Sequence, residues 1–483
     1  MARLSGFRRV LRGSAIFGLG GMANRLVTLL LLPVFTAYLT PSEYGVVAML
    51  TAAGAFVTPI FTLGLGSSIG IAYFNTQDSV ERRAIVWTAG AVLLTSAALL
   101  VLTGWFMRQS LSHIVLSDER YGLHTAVAMG TTAVGVLSLP WQLKLQFEQR
   151  PTAFVSISFL GLLATLGMSL WFVVRMGYGA MGALLGSLVG QTIGALLLLL
   201  VAARGPAFSH MKRWLRELLK HGLPLVPSFF FLFLLQHWAR WPLEWHHGLG
   251  AVGVYSVGAS IGAALGILTG AFISAWTPFA LSHAARQAEA VDILADATLY
   301  YIAAFGFLCT LFFLLAVPVV QLFAQPAFLD GAKVVGLSAG AQFLSALFLM
   351  LLPPLYYAKR VDNVITTQAI ATLATFLLAH LLIPRFDITG AGVATMLGFA
   401  ILVVVQWIAL RALPVLRIRY DYWRAGLLLA LFSTAAALSF LISFADTVSG
   451  LAAASAIAIV TAAVTTFGIF RVQEIRQAWK HTV

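Results

Sequence analysis

The chain has 483 residues, of which 60% are hydrophobic and 10% are charged, and its formal net charge is +13. A soluble domain is about half apolar and about a quarter charged, because it needs a polar surface. The composition therefore excludes an ordinary soluble protein and predicts that most of the chain lies in lipid. The basic residues lie between apolar runs and not on one folded face, so we expect no nucleic-acid partner.

Apolar runs of about 20 residues, enough to cross a bilayer core about 30 Å thick, recur along the whole chain. The first run follows several arginines and is too long for a cleaved signal core, so we interpret it as a retained helix. The sequence thus predicts an all-α integral membrane protein with about fourteen transmembrane helices. The predicted spans are 13–38, 44–72, 84–107, 114–140, 152–175, 179–203, 222–243, 250–277, 298–324, 332–357, 363–384, 390–411, 424–445 and 448–470.

Lysine and arginine residues predict the orientation of these spans. When the N terminus is placed in the cytoplasm, most of the 30 fall on the cytoplasmic side, as the positive-inside rule requires. Arg25 lies within the first span, and the exceptions on the outer side are Arg108, Arg120, Arg175, Arg240, Lys333 and Arg385. We therefore expect a multi-pass protein of the bacterial inner (cytoplasmic) membrane with both termini in the cytoplasm.

Three stretches of the first half recur at equivalent places in the second half. "EYGVVAM" resembles "AVGVYSV", "LQFEQRPTAFV" resembles "LYYAKRVDNVI", and "GAMGALLG" resembles "GAGVATMLG". These matches pair Gly45 with Gly253, Arg150 with Arg360 and Gly182 with Gly392, at nearly constant separation. Each repeat holds six spans, so the repeats run parallel and predict two pseudo-symmetric six-helix lobes around a central cavity, plus a C-terminal helix pair.

The repeat also predicts the domain organisation. The segments are an N-terminal lobe at 1–203, a cytoplasmic amphipathic linker at 204–221, a C-terminal lobe at 222–411, and the last two helices with the tail at 412–483. In the linker, "MKRWLRELLK" has helical spacing and a basic face. We expect it to lie along the inner leaflet, where anionic lipid attracts it.

Arg25 is the most informative candidate for substrate binding. A charge near the middle of a span costs at least about 2.5–3.5 kcal/mol, and we find no acidic residue deep in the first-half spans to pair with it. An arginine facing a watery cavity could grip phosphate oxygens with its planar fork. The alternative is a guanidinium bonded to backbone carbonyls or extended to one surface. Asn24 is a candidate because it is the neighbour of Arg25.

Arg240 lies near the end of the seventh span in "LLQHWARWPLEWHHGLG". One interpretation is an outer interface belt, in which tryptophans lie at headgroup depth and Arg240 pairs with Glu244. The other is that Arg240, with Gln236 and His237, faces the cavity and binds substrate. The adjacent His246 and His247 have no third ligand nearby, so no metal site is expected.

Four basic residues flank the inner ends of the fourth and tenth spans: Lys144, Arg150, Lys359 and Arg360. Positive-inside anchoring is sufficient to explain them, and a role in drawing an anionic headgroup to a cavity entrance is the alternative. The sequence contains no nucleotide-binding glycine-rich motif, no nucleophile constellation and no carboxylate pair at membrane depth. We therefore expect neither an enzyme nor a bound cofactor.

The chain resembles the polysaccharide flippases, Wzx-type and O-antigen or exopolysaccharide exporters, of the multidrug/oligosaccharidyl-lipid/polysaccharide (MOP) exporter superfamily. The resemblance rests on "LLLLPVFTAYLTPSEYGVVAML", on its echo "GLGAVGVYSVGAS", and on the glycine-rich stretches at Gly179 and Gly390. It implies a fourteen-helix, two-lobe transporter with a cationic cavity. Arg25 matches an arginine common in the first helix, and Arg240 matches one near the end of the seventh, although Ala239 stands where an acidic residue is usual.

The resemblance implies transport of undecaprenyl-pyrophosphate-linked oligosaccharide from the inner to the outer leaflet by alternating access. The expected partners are this substrate, membrane lipid and the polysaccharide polymerase or export machinery. Two alternatives stay open. One is a cation-coupled multidrug (MATE-like) exporter, although its relatives usually carry an acidic residue in the first helix or elsewhere in the lobes, whereas the first helix here has Arg25 and no Asp or Glu. The other is a non-transporting membrane scaffold of glycan synthesis.

Overall fold

The computed structural model describes residues 29–203, 205–207, 209–282, 287–357, 362–411, 422–442, 455–463 and 465. Across these residues the chain forms helices and no strands, which confirms the expected all-α membrane protein. Nine helical segments of the described chain are long and apolar enough to cross a membrane. The expected count of fourteen stays a prediction.

Two of the nine segments are each long enough for two spans. They are Met211–Gly262, with 52 residues, and Asn363–Arg411, with 49 residues. Each contains a residue with positive φ, Gly248 (78°) in the first and Asp387 (50°) in the second. Both residues fall between two spans expected from the sequence. The boundaries that hydropathy predicted between the seventh and eighth spans and between the eleventh and twelfth spans thus coincide with breaks in the helical backbone.

The described residues pack as two compact units. The first unit is drawn from Met1–Ser256 with Thr375–Asp387, and the second from Val257–Ala374 with Ile388–Val483. The lobe boundaries expected from the repeat stay a prediction. The helices of the first unit are α1 (Leu29–Tyr38), α2 (Pro41–Phe61), α3 (Leu65–Asn75), α4 (Ser79–Phe106), α5 (Arg108–Leu116), α6 (Gly122–Phe147), α7 (Pro151–Leu170), α8 (Gly179–Ala202), α9 (Met211–Gly222), α10 (Val226–His237) and most of α11 (Arg240–Gly262).

The second unit holds the remaining helices and the end of α11. They are α12 (Leu265–Ser282), α13 (Gln287–Leu314), α14 (Ala316–Phe323), α15 (Ala332–Met350), α16 (Pro353–Tyr357), α17 (Asp362–Arg411) and α18 (Tyr422–Ile442). Thr375–Asp387, in the middle of α17, belongs to the first unit. Tyr301 of α13 donates a hydrogen bond to the Phe343 carbonyl of α15 (2.9 Å), deep in an aromatic core. Phe432 of α18 lies directly over Gly306 of α13, so α18 is packed on this unit.

A capping box determines where α2 begins. The Thr40 backbone N–H donates to Glu43 Oε2 (2.9 Å), and the Glu43 N–H donates to Thr40 Oγ1 (3.3 Å). Pro41 occupies the first helical turn, where its missing N–H costs no hydrogen bond. The carboxylate of Glu43 also lies against Gly179, where a Cβ would overlap it. These contacts position the N terminus of α2 beside the start of α8.

The backbones of α2 and α11 touch at a reciprocal pair of glycines. A Cβ on Gly45 would overlap the carbonyl oxygen of Leu249, and a Cβ on Gly253 would overlap the carbonyl oxygen of Pro41. Leu249 and Pro41 each lie one helical turn before the glycine of their own helix, so the two halves of the contact are equivalent. Gly45 and Gly253 are also the pair that the internal repeat aligned.

Small residues let α7 and α8 approach each other closely. Gly186 and Gly190 of α8 lie against the backbones of Ser169 and Thr165, and the Cα atoms of Gly161 and Gly194 come close to each other. Residues four apart share one helix face, so the stripe is continuous on both helices. Close backbone packing of this kind is a main attraction between helices in lipid, where apolar side chains gain little from leaving the solvent.

The helix α9 lies where the sequence predicted an amphipathic linker. Trp214 and Leu218 are buried against Leu65 and Ile69 of α3 and against residues of α4. The opposite face is exposed and carries Lys212, Arg213, Arg216 and Lys220. The burial thus separates an apolar face from a basic one, as expected for a helix that lies on anionic lipid.

Replacing both Lys212 and Arg216 with glutamine is expected to weaken phosphatidylglycerol binding about 30-fold, at about 1 kcal/mol for each basic residue near an anionic surface. Native mass spectrometry of the purified chain would count the retained lipids. Arg120 and Lys333 form ion pairs with Asp118 and Asp330 (2.7 and 2.6 Å). A control variant with glutamine at these two positions loses the same charge and is expected to bind lipid as the unchanged chain does. An equal loss in both variants would contradict the assignment to α9.

Candidate functional site

The most unusual side chain of the first unit is Arg240, at the junction of α10 and α11. Its Nη1 lies 2.6 Å from Nδ1 of His237, the last residue of α10. Its guanidinium carbon lies 5.7 Å from the ring centroid of Tyr255, and Tyr44 of α2 is close enough to interact with it electrostatically. Its Nε is buried and has no hydrogen-bond partner among the described residues. We call these four residues the arginine site.

No carboxylate of the described residues forms an ion pair with Arg240, so its charge is not neutralised within the part of the chain that the structure describes. The pair with Glu244 that the helical spacing suggested is not formed. Glu244 is 7% exposed, and its Oε2 instead accepts a hydrogen bond from the hydroxyl of Ser117 (3.0 Å), which follows α5. Ser117, which is far from Glu244 in the sequence, therefore binds the carboxylate that the helical spacing suggested as the partner of Arg240.

The aromatic residues around Arg240 pack into the protein more than an interface belt would require. Trp238 stacks on Phe376 of α17 with ring centroids 5.0 Å apart, and Phe233 covers the ring of His237 at 4.8 Å. Among the tryptophans of this stretch, Trp245 is the exposed one. His247 donates from Nε2 to the Ile383 carbonyl (3.1 Å). These contacts hold the α10–α11 junction, and with it Arg240, against α17.

The other candidate residues are distributed as follows. Gln236 is exposed, and its role in substrate binding stays a prediction. Asn24, Arg25, Lys359 and Arg360 lie outside the described residues, so their roles also stay predictions. Within the described residues no three His, Cys, Asp or Glu side chains cluster as a metal site would require.

Lys144 and Arg150 both have partners in the structure. The buried Lys144 ammonium donates to the carbonyl of Ala202 at the end of α8 (2.7 Å), and it lies 3.7 Å from Glu148. Arg150 lies 3.8 Å from the same carboxylate. A cation at a helix C terminus satisfies a free carbonyl and interacts favourably with the helix dipole. Lys144 therefore stabilises the C terminus of α8. For both residues a role at a cavity entrance stays a prediction.

Sequence analysis missed two members of the arginine site, Tyr44 and Tyr255. Each lies in one of the repeated stretches: Tyr44 directly precedes Gly45, and Tyr255 follows Gly253 by two residues. The sequence signal that could have identified them is a tyrosine within an apolar span, because a buried tyrosine hydroxyl needs a polar partner.

The fold is that of membrane transporters of the MOP superfamily. The lipid II flippase MurJ in an inward closed conformation is similar with a TM-score of 0.71 and 11% identity, over 94% of this chain and 99% of that one. An inward-facing MATE family multidrug resistance transporter is similar with a TM-score of 0.65 and 15% identity, over 84% of this chain and 96% of that one. A MOP superfamily transporter from Pyrococcus furiosus is similar with a TM-score of 0.55 and 16% identity, over 87% of this chain and 95% of that one.

Residues 10–283 match the family described as polysaccharide biosynthesis protein. The match spans more than half of the chain, and the chain belongs to this family. No protein of curated function matches the sequence. The resemblance to polysaccharide flippases that the sequence suggested is thereby confirmed at the level of family and fold.

Proposed function

We propose that the chain flips an undecaprenyl-pyrophosphate-linked oligosaccharide from the cytoplasmic to the periplasmic leaflet of the bacterial inner membrane, by alternating access. The product would supply O-antigen or exopolysaccharide biosynthesis. Membership of the polysaccharide biosynthesis family supports the pathway, and similarity in fold to a structure named as a lipid II flippase supports the type of cargo. The lipid substrate, membrane lipid and a polysaccharide polymerase or export complex are the proposed partners.

Arg240 is the single observation that carries this proposal. A membrane protein keeps a cation in a span only where the cation is compensated or used, because the cost at the centre is about 2.5–3.5 kcal/mol even on insertion scales. The described residues offer Arg240 an imidazole and two phenols but no carboxylate. An anion is the missing partner, and a planar guanidinium fork binds two oxygens of one phosphate.

The chemistry of the cargo agrees with this site. A polyprenyl-pyrophosphate oligosaccharide has an apolar tail, an anionic centre and a large polar head. Its tail can stay in lipid while its pyrophosphate is held by arginine within the protein. A drug cation would be repelled by the same arginine, unless a carboxylate were provided nearby. Arg25, which lies in the first span expected from the sequence, would add a second cation.

The proposal is tested by deleting the gene in its host and extracting the lipids. We expect an inner-leaflet polyprenyl-pyrophosphate oligosaccharide to accumulate while surface polymer disappears, and the unchanged chain to reverse both effects. A deletion strain with normal polymer and increased sensitivity to cationic drugs would instead identify a multidrug exporter. Normal polymer with normal drug resistance would favour a scaffold.

A further inference from the structure

The contact between Arg240 and His237 fixes the protonation state of the histidine. An arginine carries five N–H donors and no acceptor, so in this contact Nδ1 of His237 must accept. An imidazole that accepts at Nδ1 is neutral and has its proton on Nε2. The structure therefore holds His237 as an uncharged acceptor bound to a cation.

Protonation of His237 at Nδ1 is incompatible with this contact. The new N–H would point at the N–H of Arg240, and two cations would lie within hydrogen-bond distance in a poorly solvated place. The described groups around them supply no carboxylate to compensate the two charges. Among the described residues, Arg240 is the charged group that faces His237, and Tyr255 of α11 and Tyr44 of α2 are the titratable groups that face Arg240. Glu244 is held by Ser117, and Phe233 covers the imidazole ring.

An anion at Arg240 removes the incompatibility. A phosphate oxygen is a stronger acceptor than a neutral imidazole, so it displaces Nδ1 from the guanidinium. The displaced Nδ1 can then take a proton from water and donate to another oxygen of the same anion. Binding thus converts His237 from an acceptor to a donor, and the proton returns to water when the anion leaves.

We propose that anion binding at the arginine site is coupled to uptake of one proton by His237, so that the site holds its polyprenyl pyrophosphate with two cations and releases it with one. The proposal rests on the function proposed above and adds its regulation. Lower pH tightens binding and higher pH promotes release.

Proton uptake can be counted with the full-length chain in nanodiscs of neutral lipid. Calorimetric titration with farnesyl pyrophosphate, in buffers of different ionisation enthalpy, gives the number of protons bound per ligand. The matched variant is His237→Asn, whose side-chain oxygen can accept from Arg240 near the position of Nδ1 but takes up no proton. Since the ligand's own titration is common to both proteins, the difference reports His237. His237→Gln is a second variant, used if His237→Asn fails to fold.

We expect the unchanged chain to take up about one proton more than His237→Asn, and its Kd to fall by up to about tenfold more per unit of decreasing pH. Equal proton uptake in the two proteins, or none in the unchanged chain beyond the ligand's own, overturns the coupling. Arg240→Gln separates the two proposals. Loss of binding in this variant keeps the site even if the coupling fails, whereas unchanged binding refutes the site and the coupling together.

Discussion

Replacing Arg240 with glutamine is expected to abolish polymer export while leaving the chain folded and inserted. The guanidinium is the cation of the arginine site, and hydrogen bonds to a charged group contribute about 1.5–3 kcal/mol each. A bidentate contact with pyrophosphate would therefore weaken by more than about 100-fold. Because the arginine is partly buried without a carboxylate, its removal also relieves a desolvation cost. The Tm of the variant should be unchanged or higher.

Surface polymer in the complemented deletion strain, normalised to protein level, measures this prediction. Arg240→Lys keeps the charge but loses the planar fork, so partial export is expected. The matched control is Arg120→Gln, which removes an exposed arginine paired with Asp118 (2.7 Å) and should export normally. Normal export by a well-expressed Arg240→Gln chain would show that the cation is not needed for the cargo.

Gly45→Ala should destabilise the protein, although alanine is the better helix former. The new methyl group would overlap the Leu249 carbonyl, and a backbone atom cannot move aside as a flexible side chain can. The helices α2 and α11 must then separate along their contact, at a cost of about 1–3 kcal/mol or more. The reciprocal variant Gly253→Ala should be destabilised to a similar extent, because its methyl group would meet the Pro41 carbonyl.

Thermal unfolding of the purified variants measures this effect as a lower Tm. The control is Gly66→Ala in α3, where a Cβ meets nothing within 4 Å and where the change should hold or raise the Tm through helix propensity. The double variant Gly45→Ala/Gly253→Ala should lose less than the sum of the single losses, because one separation of the helices relieves both overlaps. Additive losses would mean that the two glycines do not share one contact.

Hydropathy located long apolar helices of the described residues, but it missed the breaks inside two of the expected spans. The expected spans 44–72 and 250–277 are each divided in the structure, the first between α2 and α3 and the second between α11 and α12. The first break places positive φ at Leu63 (53°) and Gly64 (66°). Since apolar residues continue on both sides, a sliding average sees one uninterrupted run. Gly64 lies against Gly222 at the end of α9, a tertiary contact that no local pattern reports.

The sequence predicted the ionisable residues Arg240 and His237 as candidates, but it did not predict which residues surround them. Arg240 and His237 were identified because ionisable groups in an apolar span are costly and usually functional. The proximity of Arg240 to Tyr44 depends on how α2 packs against α11, which the local sequence does not report. Tertiary packing also determines the partner of Glu244. Its helical spacing predicted a pair with Arg240, four residues earlier, but in the structure it binds Ser117, which is more than a hundred residues away.

The reciprocal contact of Gly45 and Gly253 has a meaning for the origin of the chain. In a symmetric homodimer, an isologous interface brings one surface against its own copy, so a residue on the axis meets its equivalent in the other subunit. Residues aligned by the internal repeat meet here in that manner within one polypeptide. If the repeat arose by duplication of a six-helix ancestor, a single mutation in that ancestor would have altered both sides of this contact at once. After gene fusion each side could change alone, which permits an unsymmetric feature such as Arg240 to arise beside a contact that stays symmetric.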